Sequence, residues 1–244
     1  MENNSLTGRI PPELGSCQSL ALLDLAQNQL SGALPVELGN LSHLQVLKLQ
    51  FNKLAGEIPI EITQLSKLWI LNISWNSLNG PIPPSVASLK NLINMNLQGN
   101  NLSGSIPENI GSLASLSELQ LGENHLSGGD IPRMPTTLQI ALNLSSNLFE
   151  EYIPVNLANL TLLEILDLSN NKFSGEIPAF FGQLGTLTQL ILSNNQLSGE
   201  IPKFGSWVFV NTTGNEAAVF AGGWITIIGK KSRICIVWEV ENLW

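Results

Sequence analysis

The side chains that could carry out acid–base chemistry are scattered through the sequence. Asp24 and Asp167 occupy equivalent positions of a repeated pattern, and His43 and His125 are the two histidines. Paired carboxylates act together in hydrolysis when they lie within about 10 Å of each other. A histidine assists a nucleophile only at hydrogen-bond distance. Whether any such set forms is decided by the elements that position these residues.

Those elements are set by a repeat of about 24 residues with the pattern L-x-x-L-x-x-L-x-L-x-x-N-x-L-x-G-x-I-P. One asparagine recurs in nine turns, and a proline follows each of them seven or eight residues later. A period in this range indicates a solenoid, in which each turn packs only on its neighbours. The repeated asparagines are Asn4, Asn28, Asn52, Asn76, Asn100, Asn124, Asn147, Asn171 and Asn195.

Each column of the repeat has a physical role. Alternation such as Leu47-Lys48-Leu49 predicts a short strand with its leucines turned inward. The following asparagine, here Asn52, is predicted to bond backbone groups of adjacent turns, because a buried amide needs partners. The segments after each proline are too short for long helices and predict one-turn 3₁₀ or short α pieces. The predicted fold is an α/β solenoid with a parallel sheet on its concave face and these short segments outside.

This geometry separates the candidate catalytic residues. Asp24 and Asp167 are six turns apart, which at about 4.8 Å per strand is about 29 Å. Glu118 and Glu123 share one turn but have no histidine or second acid opposite them. We therefore predict that the chain is not an enzyme and has no catalytic residues, no cofactor and no metal site.

Composition limits the classes of partner and of site that the chain can have. The formal net charge of −8 argues against nucleic acid, since phosphate binding needs clustered Lys and Arg. Cys17 and Cys235 are too isolated to form a disulfide framework or a metal site. The apolar run at residues 217–229 is shorter than the roughly 20 residues of a spanning helix. We predict no transmembrane helix in this chain.

Two segments depart from the repeat. The pattern ends near residue 205, so we divide the chain into a repeat array at 1–205 and a non-repeat tail at 206–244, with a β-hairpin expected at 224–240. An insertion at residues 128–130 predicts a local irregularity between Asn124 and Pro154. This irregularity is either a tolerated insertion or a kink that shapes a binding site.

The segments Leu-Ser-Gly-Glu-Ile-Pro at 197–202 and Leu-Asp-Leu-Ser-Asn-Asn at 166–171 resemble the plant-specific leucine-rich repeat. Over residues 1–205 the chain is similar to the ectodomain of plant leucine-rich-repeat receptor-like kinases. The resemblance implies a leucine-rich-repeat horseshoe or superhelix that recognises a protein or peptide ligand, with a co-receptor, in signalling at the extracellular face of the plasma membrane. The sequence contains no signal peptide, no cysteine-paired caps and no kinase motifs, so it resembles the C-terminal part of an ectodomain.

Two alternatives remain open. Soluble members of the same repeat class include extracellular inhibitor and defence proteins. A truncated product without independent function is the other alternative.

Candidate ligand contacts lie in the turns that begin near residues 46, 70 and 94. Phe51 and Trp75 share a column, and exposed adjacent aromatic residues are typical anchors for protein partners. Variation typical of the family is the other interpretation. The candidate contacts are Val46, Lys48, Phe51, Trp69, Ile70, Asn72, Trp75 and Asn96.

N-glycosylation sequons are frequent because the repeat itself is rich in Asn-Leu-Ser. Glycans at those sequons that fall on the concave face would obstruct binding there. The sequons begin at Asn3, Asn40, Asn72, Asn101, Asn143, Asn159 and Asn211.

Overall fold

The computed structural model describes residues 2–128, 130–215 and 219–220. Its strands, in chain order, are β1 (Thr7–Gly8), β2 (Leu22–Asp24), β3 (Gln29–Gly32), β4 (Val46–Lys48), β5 (Lys53–Glu57), β6 (Ile70–Asn72), β7 (Ser77–Pro81), β8 (Asn94–Asn96), β9 (Asn101–Gly104), β10 (Glu118–Gln120), β11 (His125–Leu126), β12 (Ala141–Asn143), β13 (Ile165–Asp167), β14 (Ser174–Glu176), β15 (Gln189–Ile191), β16 (Gln196–Ser198), β17 (Glu200–Ile201), β18 (Phe209–Asn211) and β19 (Val219–Phe220). Its 3₁₀ helices are η1 (Pro12–Ser16), η2 (Val36–Asn40), η3 (Ile60–Gln64), η4 (Pro84–Ser88), η5 (Glu108–Ser112), η6 (Val155–Asn159) and η7 (Ala179–Gln183).

Among the described residues, one parallel sheet of nine strands forms the concave face. Its order is β2-β4-β6-β8-β10-β12-β13-β15-β18, so each turn of the chain adds one strand beside the previous one. The register is unshifted: Leu47 lies opposite Leu23 on one side and Leu71 on the other. The middle residue of each strand is buried, while its neighbours face the concave surface. The predicted α/β solenoid is confirmed.

The repeated asparagines join consecutive turns. The Nδ2 of Asn52 donates to the carbonyl oxygens of Leu25 and Leu49, both at 3.0 Å, and its Oδ1 accepts from the backbone N–H of Leu30 at 2.9 Å. The same three-way bonding recurs at later turns, for example at Asn100. Asn4, in the first turn, is exposed and donates to the carbonyl oxygen of Glu2.

In the part of the chain that the structure describes, the outer face is built from seven 3₁₀ helices, each of five residues. Each helix is preceded by a proline with an extended backbone, such as Pro59, whose carbonyl accepts the first helical N–H from Ile62 at 3.1 Å. A leucine follows each helix, except that Cys17 follows η1, and from the second helix onward these leucines are buried. The prediction of short 3₁₀ segments is confirmed.

A second sheet lies after the asparagines and is interrupted at the predicted irregularity. Six strands run in the order β1-β3-β5-β7-β9-β11, and pairing resumes with β14 and β16. Between them a single bridge joins Tyr152 to Ser174. Glu151 stands where other turns have glycine, and it keeps the left-handed backbone of that column with a φ of 70°. The insertion therefore interrupts the second sheet, while the concave sheet continues without a gap.

The stacked backbone extends past the boundary expected at residue 205. Strand β18 pairs in parallel with β15, and Val210 lies opposite Leu190. Asn215 occupies the ladder position of this turn, because its Nδ2 donates to the carbonyl of Leu192 and its Oδ1 accepts from the N–H of Leu197. This turn is four residues shorter than the usual 24 and has no outer 3₁₀ helix in the part of the chain described, which hides it from a search at a fixed period. The hairpin expected at 224–240 lies outside the described residues.

Candidate ligand-binding face

The concave surface between β4 and β10 brings the candidate contacts together. Val46 lies beside Ile70, and Lys48 lies beside Asn72, which in turn lies beside Asn96. Lys48 and the two asparagines are half-buried, so they form the floor of the face. Val46 is only 7% exposed and contributes to packing more than to surface.

Phe51 and Trp75 form a parallel stack at one edge of this floor. Their ring centroids are 5.9 Å apart with an angle of 3° between the planes, and they remain 49% and 39% exposed. Each residue precedes a ladder asparagine, where the backbone is left-handed, with φ of 57° and 54°. Bulky side chains rarely adopt this conformation, which costs on the order of 1–2 kcal/mol per residue. Two exposed aromatic residues are thus held at backbone positions that favour asparagine or glycine.

The stack ends at Gly99, the equivalent residue of the next turn. Its φ is 66°, and a Cβ placed on it would lie 2.7 Å from two atoms of the Trp75 indole. The absence of a side chain at Gly99 therefore lets the Trp75 ring lie across the backbone of that turn. The Trp75 ring therefore lies between Phe51 on one side and Gly99 on the other.

A second apolar pair lies at the opposite edge of the floor, where the strands begin. Trp69 is 40% exposed, and Ile93, in the same column of the next turn, is 42% exposed. The backbone N–H of Ile93 donates to the carbonyl of Trp69 at 2.9 Å. Sequence reasoning selected Trp69 but missed Ile93, although its position relative to the repeated asparagine identifies it.

The floor between the two edges offers polar groups. The Oδ1 of Asn72 accepts from the N–H and hydroxyl of Ser74 at 3.2 and 2.7 Å, and the Oδ1 of Asn96 accepts from the N–H of Gln98 at 3.1 Å. Within the described residues the Nδ2 groups of both asparagines make no hydrogen bond. They are available as donors to a ligand carbonyl.

Gln50 was not selected from the sequence, and it carries an unpartnered polar atom. Its Oε1 is buried and makes no hydrogen bond among the described residues. Buried side-chain oxygens almost always have a partner, so this oxygen is an unsatisfied acceptor beneath the surface of the face. Gln50 directly precedes Phe51 and therefore lies beside the aromatic stack.

Charge is distributed unevenly over this face. Lys48 is the one basic residue of the concave strands β2, β4, β6, β8 and β10, and its Nζ lies 3.8 Å from Asp24 Oδ2. Glu118 accepts hydrogen bonds from the side-chain amides of Asn94 and Gln120, the latter at 3.0 Å. Glu123 accepts from Gln98 at 3.2 Å. Neither glutamate has an ion pair within the part of the chain described, so both are carboxylates oriented by neutral amides.

The described residues offer few candidates for a metal site, a membrane span or an enclosed binding pocket. No group of three or more His, Cys, Asp or Glu residues is placed to hold a metal ion in residues 2–128 and 130–215. Among the described residues no helix has the length and apolar character needed to cross a membrane. A pocket of about 680 Å³ lies at the irregular turn, lined in part by Ile106, Ile131 and Asn156.

The sequons divide by location. Asn40 and Asn159 are exposed at the ends of 3₁₀ helices on the outer face, and Asn3 and Asn101 are also exposed. The other three, Asn72, Asn143 and Asn211, end strands of the concave sheet and are half-buried, and each accepts hydrogen bonds from the Ser or Thr of its own sequon.

The ladder of asparagines, the concave parallel sheet and the outer 3₁₀ helices define a leucine-rich-repeat protein. The family described as "Leucine-rich repeat region" matches residues 3–131, and "Leucine Rich Repeat" matches residues 162–184 and 186–206. The chain belongs to the leucine-rich-repeat family.

Among solved structures, the chain is similar to plant receptor kinases. The Arabidopsis receptor kinase HAESA, solved with the peptide hormone IDA and the co-receptor SERK1, is 41% identical, with a TM-score of 0.78 over 82% of this chain and 34% of that one. The plant peptide hormone receptor RGFR1, solved with RGF2, is 34% identical, with a TM-score of 0.70 over 82% of this chain and 36% of that one. The chain thus spans about a third of the length of these receptors. Their resemblance to it confirms the similarity to receptor-kinase ectodomains.

A third structure matches more of its own length. A plant ice-binding protein is 28% identical, with a TM-score of 0.71 over 92% of this chain and 83% of that one. No curated protein sequence matches the chain significantly.

Proposed function

We propose that this chain is a ligand-recognition part of a plant receptor-like kinase ectodomain and binds a peptide or protein through its concave face. The observation that carries the proposal is the Phe51–Trp75 stack, exposed and held on left-handed backbone. Aromatic anchors that are already ordered lose little conformational entropy on binding. The proposal places the chain at the extracellular side of the plasma membrane, with a co-receptor as a further partner of its parent protein.

The similarity to HAESA and RGFR1 supports this assignment, since both were solved with peptide hormones. The concave face also supplies polar groups suited to a peptide backbone. The Nδ2 groups of Asn72 and Asn96 can donate to the carbonyls of a peptide, because only their Oδ1 atoms are bonded within the described residues.

Panning a phage-displayed random dodecapeptide library against the immobilised full chain tests this function. We expect enriched peptides that lose most of their binding, about tenfold or more, to the variant Phe51→Ala/Trp75→Ala. The variant Tyr152→Ala/Val155→Ala is the control, because it removes apolar groups that are even more exposed, at 68% and 78%, from outside the concave sheet. Peptides that bind the first variant and the wild type equally would remove the aromatic stack from the binding surface.

The plant ice-binding protein supports a second candidate function, binding of an extended surface such as ice. That protein is matched over 83% of its length, whereas the receptors are matched over about a third. An ice-recrystallisation assay of the full chain separates the two functions. Inhibition that is unchanged in Phe51→Ala/Trp75→Ala would favour the second candidate over the first.

A further inference from the structure

We infer that the ligand of the concave face is a basic peptide, in which an apolar side chain and a Lys or Arg lie two to four residues apart. The inference rests on the proposed function and specifies its ligand. It follows from the order in which apolar and acidic groups are placed along the solenoid axis.

Two rows of side chains run along the solenoid axis, one at each edge of the strands, and are called lanes below. In the lane at the strand ends, Phe51 and Trp75 are followed by Gly99 and then by Glu123. These four residues occupy the same column, one residue before successive ladder asparagines. The lane therefore runs from an aromatic stack, across a position without a side chain, to a carboxylate.

The lane at the strand beginnings has a similar order. Trp69 and Ile93 share one column and are its apolar residues. Its acid, Glu118, lies in the adjacent column, at the first position of β10 beside Asn94. In both lanes the acid lies two turns beyond the tryptophan. Adjacent strands are about 4.8 Å apart, so the separation along the axis is about 10 Å, the length of about three residues of extended peptide.

Both acids are prepared to receive a cation. Glu118 is half-buried and is oriented by the side-chain amides of Asn94 and Gln120, while Glu123 is oriented by Gln98. An amide that donates to a carboxylate fixes its direction without neutralising its charge, and each oxygen retains a lone pair for a further donor. Within the described residues neither acid has a cationic partner.

The rest of the face favours the same sign of ligand charge. Asp24 and Lys48 approach each other at 3.8 Å, so the single basic residue of the concave strands β2, β4, β6, β8 and β10 is offset by an acid. The chain as a whole carries a formal net charge of −8. An anionic peptide would be repelled, and a cationic one would be drawn to the face more rapidly at low ionic strength.

The test uses the same random dodecapeptide library, panned in parallel on the full wild-type chain and on Glu118→Gln/Glu123→Gln. On the wild type we expect enriched sequences to carry Lys or Arg two to four residues from an apolar residue. On the variant we expect the basic preference to disappear while the apolar preference persists. Synthetic copies of the enriched peptides should bind the variant about five- to tenfold more weakly, with a smaller dependence on salt.

The control Glu61→Gln/Glu108→Gln removes the same net charge from the outer 3₁₀ helices η3 and η5. It should leave the basic preference intact, which distinguishes the two lanes from the overall charge of the chain. Loss of the preference in this control would overturn the inference. Enriched peptides without basic residues would overturn it and leave the proposed function standing. Absence of any enriched peptide would contradict both.

Discussion

The indole ring of Trp75 lies over the backbone of Gly99, the equivalent residue of the next turn, at a distance that leaves no room for a side chain there. A Cβ on Gly99 would lie 2.7 Å from ring atoms Cδ2 and Cε3. The orientation of the aromatic stack is therefore determined partly by the absence of a side chain in the neighbouring repeat. The repeat provides a regular backbone, and single substitutions in one column shape the surface.

Replacing Gly99 by Ala should displace the Trp75 ring and weaken peptide binding about tenfold. It should also lower the free energy of unfolding by about 1 kcal/mol, since φ is 66° at this residue. The matched control is Gly104→Ala: φ is 76° there, but the nearest atom to a new Cβ is 3.8 Å away. Gly99→Ala should lose at least as much stability as Gly104→Ala in urea unfolding, because its Cβ also meets the ring. Only Gly99→Ala should alter tryptophan fluorescence and binding. Equal binding by the two variants would show that the ring position does not matter to the ligand.

Replacing Phe51 by Asn should change the free energy of unfolding by less than about 1 kcal/mol. Removing the left-handed strain of an aromatic residue gains on the order of 1 kcal/mol, which offsets the loss of a half-exposed stacked pair, worth roughly 0.5–1.5 kcal/mol. Asn is the residue found at the same column in Asn170 and Asn194, with φ of 53° and 55°. Chemical unfolding and peptide titration check this together: stability should be retained while binding falls. A loss above about 2 kcal/mol would indicate that Phe51 serves folding.

Replacing Asn100 by Ala should lower the free energy of unfolding by about 2–4 kcal/mol. Asn100 is 5% exposed, donates to the carbonyls of Ile73 and Leu97, and accepts from the N–H of Leu78. Its removal leaves buried backbone groups without partners, each at about 1–3 kcal/mol, with partial relief from water. The neighbouring variant Asn101→Ala is the control, because Asn101 is exposed and should change stability by less than about 0.5 kcal/mol. Similar midpoints of thermal unfolding for the two variants would contradict the structural role of the ladder.

The sequence predicts the regular part of this fold because a single period records every inward-facing residue. Asn52 and Asn100 could be placed without the structure, since a buried amide in a repeated column has few other roles. The repeat pattern does not show which side chains contact each other. The flat stack of Phe51 on Trp75, the ring over Gly99 and the buried Oε1 of Gln50 depend on rotamers and on neighbouring turns.

The end of the array was harder to place for a different reason. The turn that contains Asn215 is four residues shorter than the others and carries Val and Thr where they carry Leu and Ser. Its strand still pairs in register with β15, because the backbone edge of a parallel sheet accepts any sequence that can extend. Matching of the pattern therefore stops before the stacking does.

This turn gives the last prediction, which concerns stability at the C-terminal end of the array. A chain that ends at residue 205 should unfold at a lower urea concentration than one that ends at residue 215. The longer chain keeps the pairing of β18 with β15 and the hydrogen bonds of Asn215 to Leu192 and Leu197. It also keeps Val210, which is 9% exposed and covers the end of the leucine core. Burial of one such side chain contributes about 1.5–3 kcal/mol, and the lost hydrogen bonds add about 1 kcal/mol each. In the longer chain, Asn215→Ala should lower the urea midpoint part of the way toward that of the shorter chain. Thr212→Ala, which changes a residue outside the ladder position, should leave the midpoint unchanged. Equal unfolding midpoints for the two lengths would mean that residues 206–215 lie on the array without stabilising it.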